Sequence, residues 1–415
     1  MRPGLSSSQS QGPFGGAELA GCTILQIIPE LNAGGAERAV IDVAAALVAA
    51  GARALVACDG GRLVSELQAR GGLWIPFPAA TTNPLRMAMN VGRLRQLIRD
   101  ERVDLVHVRS RAPAWAALAA SKRVGVPFVT TYHGAYAGES ALQIQYNSVM
   151  ARGAAVIANS EFTRQRIVKM HPFAKDRIVV IHRGADLRAF QPDQVSPARV
   201  QALRREWGVE PDDRIVLLAA RLAPQKGQRV LIDAAKLLKA RGYHDVRFIL
   251  AGEEQGRANY ARELDGRIAG AGLNGIVRRV GHCSDMAAAF LSADAVCAPS
   301  VEPEAFGRSA VEAQAMGAPV VVSNIGAAPE TVLAPPEAAD NERTGWRVPP
   351  DDAQALADAI GQILAMGASQ RGALAARARH NVEENFSIET MCARTLEVYS
   401  ELLGEPSAGS WASRI

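Results

Sequence analysis

Two carboxylates eight residues apart, Glu304 and Glu312, stand in the segment Pro-Glu304-Ala-Phe306-Gly307-Arg-Ser-Ala-Val-Glu312-Ala. Apolar runs at 295–298 and 319–322 flank it, so a strand leads in and another follows. That places both acids at the carboxyl end of a parallel strand, where open α/β sheets bind ligands. Glu304 falls in the loop, and Glu312 about one turn into a short helix. Such a pair can hold two parts of one polyhydroxylated ligand.

Arg221 and Lys226, five residues apart in Arg221-Leu-Ala-Pro-Gln-Lys226-Gly227, stand between a strand end and a helix start. Two cations so placed suit a diphosphate and stabilise charge that builds on a phosphate leaving group. Gly34-Gly35 follows the first strand and opens a helix. Glycines there allow backbone amides close to a ligand, and a helix start favours an anion; a tight turn would also explain them. Gly252 marks a similar turn. His133 ends a strand and can orient a sugar hydroxyl or a phosphate, or move a proton. The remaining histidines show no metal-ligand spacing, so no metal site is expected. The pairs Asp212-Asp213 and Asp351-Asp352 each flank a helix and read as caps. The Gly-x-Gly-x-x-Gly fingerprint, a Walker loop and a Gly-x-Ser-x-Gly elbow are missing, which argues against a dehydrogenase.

The elements that position these residues alternate between short apolar runs and longer amphipathic stretches. Strands are expected at 23–29, 54–58, 104–108, 127–131, 155–158 and 178–181, with a helix at 36–50. A second series is expected at 215–219, 246–250, 276–280, 295–298 and 320–323. Strands apolar on both faces, joined by helices, mean parallel doubly wound sheets. The fold class is therefore α/β, with two Rossmann-like domains facing across a cleft. The first is expected over 21–190 and the second over 212–385. A Pro-containing linker is expected at 191–211, and a terminal helix at 386–404 after Ser387. Residues 1–20 and 405–415 read as tails, the first rich in Ser, Gln, Gly and Pro and without the apolar core of a signal peptide.

The chain has 415 residues and a formal net charge of +4, enough length for two cores. The charge is uneven. Residues 1–195 hold 22 Lys and Arg against 14 Asp and Glu, and the remainder 24 against 28. A basic first half suits an anionic partner such as a membrane surface or a phosphorylated acceptor, or it is a solvated helix face. Basic residues are not interleaved with stacking aromatics, so nucleic acid is not expected. No apolar run is long enough to span a bilayer. The five cysteines lack Cys-x-x-Cys spacing and fit free thiols in a reducing cytoplasm.

Taken together, Gly34-Gly35-Ala-Glu-Arg, His133-Gly134, Ala158-Asn-Ser160, Arg221 with Lys226-Gly227, Glu304-Ala-Phe306-Gly307 with Glu312, and Gly345-Trp-Arg-Val-Pro-Pro-Asp351 resemble the retaining GT-B glycosyltransferases of family 4. The resemblance runs over about residues 22–403. It implies a nucleoside-diphosphate sugar as donor, bound by the second domain without a metal ion or other cofactor. Arg221 and Lys226 would contact the diphosphate, and Glu312 the ribose. Glu304, with the backbone around Phe306 and Gly307, would hold the sugar hydroxyls. Gly34, Gly35 and Gly252 would approach the donor, and His133 the reacting sugar. The implied acceptor is a glycan or glycolipid, such as lipopolysaccharide core, met at the inner face of the cytoplasmic membrane. Many members carry Asn where this chain has Arg183, and that replacement is neutral or contacts a phosphorylated acceptor. Two other activities fit the same residues: a nucleotide-sugar 2-epimerase, and a non-catalytic nucleotide-sugar or glycan binder.

Overall fold

A computed structural model describes residues 19–32, 34–81, 83–134 and 140–404. The stretches 1–18 and 405–415, expected as tails, lie outside the described residues. Leu19, also expected in a tail, is fully buried in the first core. The chain forms two compact units. One holds the described residues up to Gly184 and those from Ile388 onward, the other Ala185–Ser387.

The first unit carries β1 (Thr23–Ile27), β2 (Arg53–Cys58), β3 (Leu73–Pro76), β4 (Leu105–Val108), β5 (Phe128–Tyr132), β6 (Ala155–Ala158) and β7 (Ile178–Val180). They form one sheet in the order β3-β2-β1-β4-β5-β6-β7, parallel at every pairing. Every residue of β1 and β5 is buried, as a strand covered on both faces requires. The helix Gly35–Ala49 lays Val40, Ile41, Val43 and Leu47 into this core. The terminal helix Ile388–Gly404 packs on it and adds Met391, Leu396, Val398 and Tyr399 to the same core.

The second unit carries β8 (Arg214–Ala219), β9 (Val246–Ala251), β10 (Val277–Gly281), β11 (Ala295–Ala298), β12 (Val320–Ser323) and β13 (Trp346–Val348). Their order is β10-β9-β8-β11-β12-β13, again parallel throughout. In both sheets the winding reverses beside the first strand: β1 lies between β2 and β4, and β8 between β9 and β11. Loops diverge at such a point and open a crevice beyond the carboxyl ends of the strands. Every candidate residue from the sequence is carried by an element that starts at such a strand end.

Each sheet has one strand beyond those expected from sequence, β3 and β13, and both are edge strands. An edge strand is covered less completely, so it can do without a continuous apolar run. β3 keeps two exposed residues and ends in Pro76. The stretch 191–211, expected as a linker, lies inside the second unit. It holds the helix Pro197–Glu206, capped by Ser196 and buried through Leu203. Arg199 fastens it to Asp285 with bonds of 2.9 and 2.7 Å. Proline at the first helical position starts a helix as readily as it breaks one.

Candidate functional site

In the second unit the turn after β8 delivers Arg221 and Lys226. Gly227 closes that turn at φ +73°, and a Cβ there would lie 1.8 Å from the Pro299 carbonyl oxygen. Only glycine lets the two loops touch. Val301 N–H donates to Gln225 O at 3.0 Å, clamping the same approach. Lys226 is thereby brought to Glu304, with Nζ to Oε2 at 2.9 Å. The Ser300 hydroxyl donates to the other carboxylate oxygen of Glu304. Gly326, at φ +65°, leaves no room for a side chain above the Glu304 backbone, and Ala327 N–H donates to Glu304 O at 2.9 Å.

Gly252 presses the turn after β9 against the turn after β8; a Cβ there would lie 1.9 Å from Ala220 O. Arg221 has an exposed side chain. Its carbonyl accepts from the buried Gln228 amide at 3.0 Å, which fixes its backbone. Gly307, at φ +80°, begins the eight-residue helix Arg308–Ala315. The Phe306 side chain is buried edge-on to Phe386, with ring centroids 5.8 Å apart, so its ring belongs to the core. Glu304 and Gly307 line a small recess with Ser300, Ser323 and Thr331.

Glu312 does not line that recess. It is buried and accepts from Arg308 Nε at 2.5 Å. Burial raises its carboxyl above the ordinary value; Arg308 pulls it back down, and Asp186 pushes it up. Of the four charged residues singled out in this unit, the structure pairs Lys226 with Glu304 and gives Glu312 a separate cation. Ser300 and Arg308 were not anticipated. The i,i+4 spacing of Arg308 and Glu312 was the available signal.

In the first unit a pocket of about 450 Å³ opens at the carboxyl ends of β1, β4 and β5, lined by Glu30, Glu37, Arg109, Arg111, His133 and Gly134 among others. Gly35 starts the helix Gly35–Ala49, with Gly34 as its N-cap. A Cβ at Gly35 would meet Arg183 Nη1 at 2.5 Å, and Arg183 Nη2 donates to His133 O at 2.8 Å. Arg183 thus ties the His133 loop to the helix start. Both ring nitrogens of His133 are shut from solvent and lack a hydrogen-bond partner among the described residues. Burial, then Arg183, then Arg109 hold its pKa well below the usual histidine value. A neutral, unsatisfied imidazole is costly to bury and gains from a ligand.

Arg109 and Arg111 open the segment Arg109-Ser-Arg-Ala-Pro-Ala-Trp115 between a strand and a helix, a place from which the sequence suggests contact with an anionic acceptor. Arg109 is 5 % exposed and donates through Nε and Nη2 to Gln26 Oε1 at 3.0 and 2.7 Å. Arg111 donates to Asn147 Oδ1 at 2.9 Å.

Two parallel doubly wound units with ligand-type residues at their strand ends are the GT-B architecture, and the matches agree. Residues 33–189 match the model of Glycosyltransferase Family 4, and residues 200–381 that of Glycosyl transferases group 1. The chain belongs to the GT-B glycosyltransferases. It is similar to a glycosyltransferase from Rickettsia africae ESF-5, with 34% identity, a TM-score of 0.84, and 93% of this chain and 99% of that one covered. It is also similar to HepE from Anabaena, solved with UDP-glucose, at 27% identity and a TM-score of 0.75, covering 91% of this chain and 99% of that one. A curated relative, D-inositol 3-phosphate glycosyltransferase from Mycobacterium tuberculosis H37Rv, is 30% identical over 322 residues, or 74% of this chain. The chain spans 63% of that relative's length.

Proposed function

We propose that this protein is a retaining, metal-independent hexosyltransferase that moves a sugar from a nucleoside-diphosphate sugar to an anionic glycan or glycolipid acceptor. The observation that carries the reading is the Lys226–Glu304 contact, 2.9 Å across two glycine-fastened loops. With a donor bound, Lys226 and Arg221 hold the diphosphate and Glu304 the sugar hydroxyls. Glu312 accepts from the ribose. The backbone at Phe306 and Gly307 faces the sugar, and Gly34, Gly35 and Gly252 allow close approach. The bond from the anomeric carbon to phosphate breaks as charge builds on the diphosphate, which the two cations stabilise. The acceptor oxygen bonds to the same face of that carbon, and its proton goes to the departing phosphate oxygen. His133, neutral, offers one hydrogen bond to the reacting sugar.

The named ligand of the Anabaena structure supports uridine diphosphate as carrier. The inositol-phosphate relative, with Arg109 and Arg111 in the first unit's pocket, supports a phosphate on the acceptor. Lipopolysaccharide core or another lipid-linked glycan meets that requirement at the inner face of the cytoplasmic membrane. The basic first half suits such a surface, and among the described residues no helix is long and apolar enough to cross a membrane. The test is calorimetry with UDP and UDP-glucose in the presence of a chelator, followed by anomeric NMR of the transfer product. Binding lost with the chelator would refute metal independence, and an inverted product would refute retention.

A further inference from the structure

Glu312 stands where a carboxylate is hard to keep. The helix Arg308–Ala315 is buried at every position from Ala310 to Ala315, and burial works against a charge. Asp186, a like charge that bears on Glu312, is itself held in place by the N–H groups of Arg188 and Ala189 at 3.0 and 3.2 Å. Among the described residues one side chain hydrogen-bonds to Glu312: Arg308 Nε donates to Oε1 at 2.5 Å. The other oxygen, Oε2, accepts no hydrogen bond from those residues.

We infer that Arg308 is a positioning residue: it fixes the Glu312 carboxylate through one oxygen and leaves the other for the ribose hydroxyls of the donor. The place of Arg308 suits that role. Gly307, at φ +80°, starts the helix one residue earlier, so Arg308 occupies the first helical position and Glu312 lies one turn on, on the same face. The Arg308 side chain is 49 % exposed and that of Glu312 9 %. The guanidinium therefore brings its charge to a buried carboxylate without being fully desolvated itself. An exposed pair at this spacing contributes little. Here one partner is buried, and removing the cation leaves an acid without its counter-charge. Such an acid takes up a proton, and a neutral carboxyl accepts a hydrogen bond more weakly than a carboxylate.

The inference rests on the reading that Glu312 accepts from the ribose. Calorimetry of the full chain near neutral pH, with UDP and with dideoxy-UDP, which lacks both ribose hydroxyls, tests the two separately. Arg308→Gln is expected to weaken UDP about five- to tenfold, part of what a hydrogen bond to a charged group is worth. The same variant is expected to bind dideoxy-UDP within about twofold of the parent chain, because the lost contact is absent there in both. Weakening of both ligands alike, or of neither, overturns the positioning role. Glu312→Gln is expected to show the same selective loss; if it does not separate the two ligands, the ribose reading itself is overturned, whatever Arg308 does. If Arg308→Gln folds poorly, the carbon-13 shift of the Glu312 carboxyl in the parent chain decides: a protonated carboxyl near neutral pH overturns the inference, and an ionised one sustains it.

Discussion

The loops after β4 and after β8 both carry a cation to the carboxyl edge of a parallel sheet, yet they treat it differently. Lys226 is partly exposed and closed onto a carboxylate, Glu304. Arg109 is buried, with the Gln26 amide oxygen as partner, and has no carboxylate within ion-pair distance among the described residues. A part-exposed pair is worth only about 0–1 kcal/mol, so Lys226 can exchange Glu304 for a phosphate at little cost. A buried cation without a counter-ion costs several kcal/mol, and an arriving anion offsets that. One region exchanges partners; the other is preset.

Replacing Lys226 with Ala tests the exchanging side most severely. Turnover, measured as UDP release from UDP-glucose with acceptor, is expected to fall about a hundredfold or more. A near-normal rate would remove Lys226 from the diphosphate and reduce its contact with Glu304 to a surface pair.

The glycines sharpen the contrast next. Gly252→Ala places a Cβ 1.9 Å from backbone, whereas Gly35→Ala meets only the tip of the Arg183 side chain. The first is expected to cost roughly 1–3 kcal/mol, a melting shift of several degrees by calorimetry; the second leaves melting nearly unchanged. Equal melting shifts would show that the second unit's turns are no tighter than the first's.

Glu312→Ala is expected to weaken UDP about tenfold, as for a hydrogen bond to a charged group, with the fold intact. Titration separates this from packing. Burial raises the Glu312 carboxyl, so the folded state favours its protonated form. As pH falls through that raised value toward the unfolded one, near 4.3, this group's stability contribution rises. The proposed ribose contact needs the carboxylate, so UDP affinity is expected to fall over the same window. Affinity and stability moving together there would refute the ribose assignment.

The smallest effect belongs to His133. Its folded pKa is depressed by burial and by Arg183 and Arg109. The stability tied to it is full above about 6.5 and is lost as pH falls below that. Melting measured from pH 7.5 to 5.5 is expected to decline, and His133→Gln to flatten the decline in part, since His107 titrates in the same direction. An unchanged slope would mean that His133 takes up its proton equally in the folded and unfolded chain.

The central strands and the glycine turns were legible in the sequence, because burial on both faces demands continuous apolar runs and positive φ demands glycine. Lys226 and Glu304 were each marked, but not their contact. That contact depends on Gly227 meeting Pro299, 72 residues later in the chain. Arg109 was legible as a cation on a strand-to-helix loop, but not its burial. A buried arginine resembles a surface one until its distant partner, Gln26, is in place. The helix at Pro197–Glu206 was hidden because its prolines read as breaks, although Pro197 occupies the first turn.

The first core is closed by a helix that is translated after the whole of the second unit. Tyr399 leaves the ribosome some two hundred residues after Gly184. At about 5–20 residues per second, that is a wait of roughly 10–40 s. During it the face of the Gly35–Ala49 helix that will meet the terminal helix stays unpaired, while the second unit already has every residue it needs. The usual order of domain completion during synthesis is inverted here, and the unit begun first is finished second.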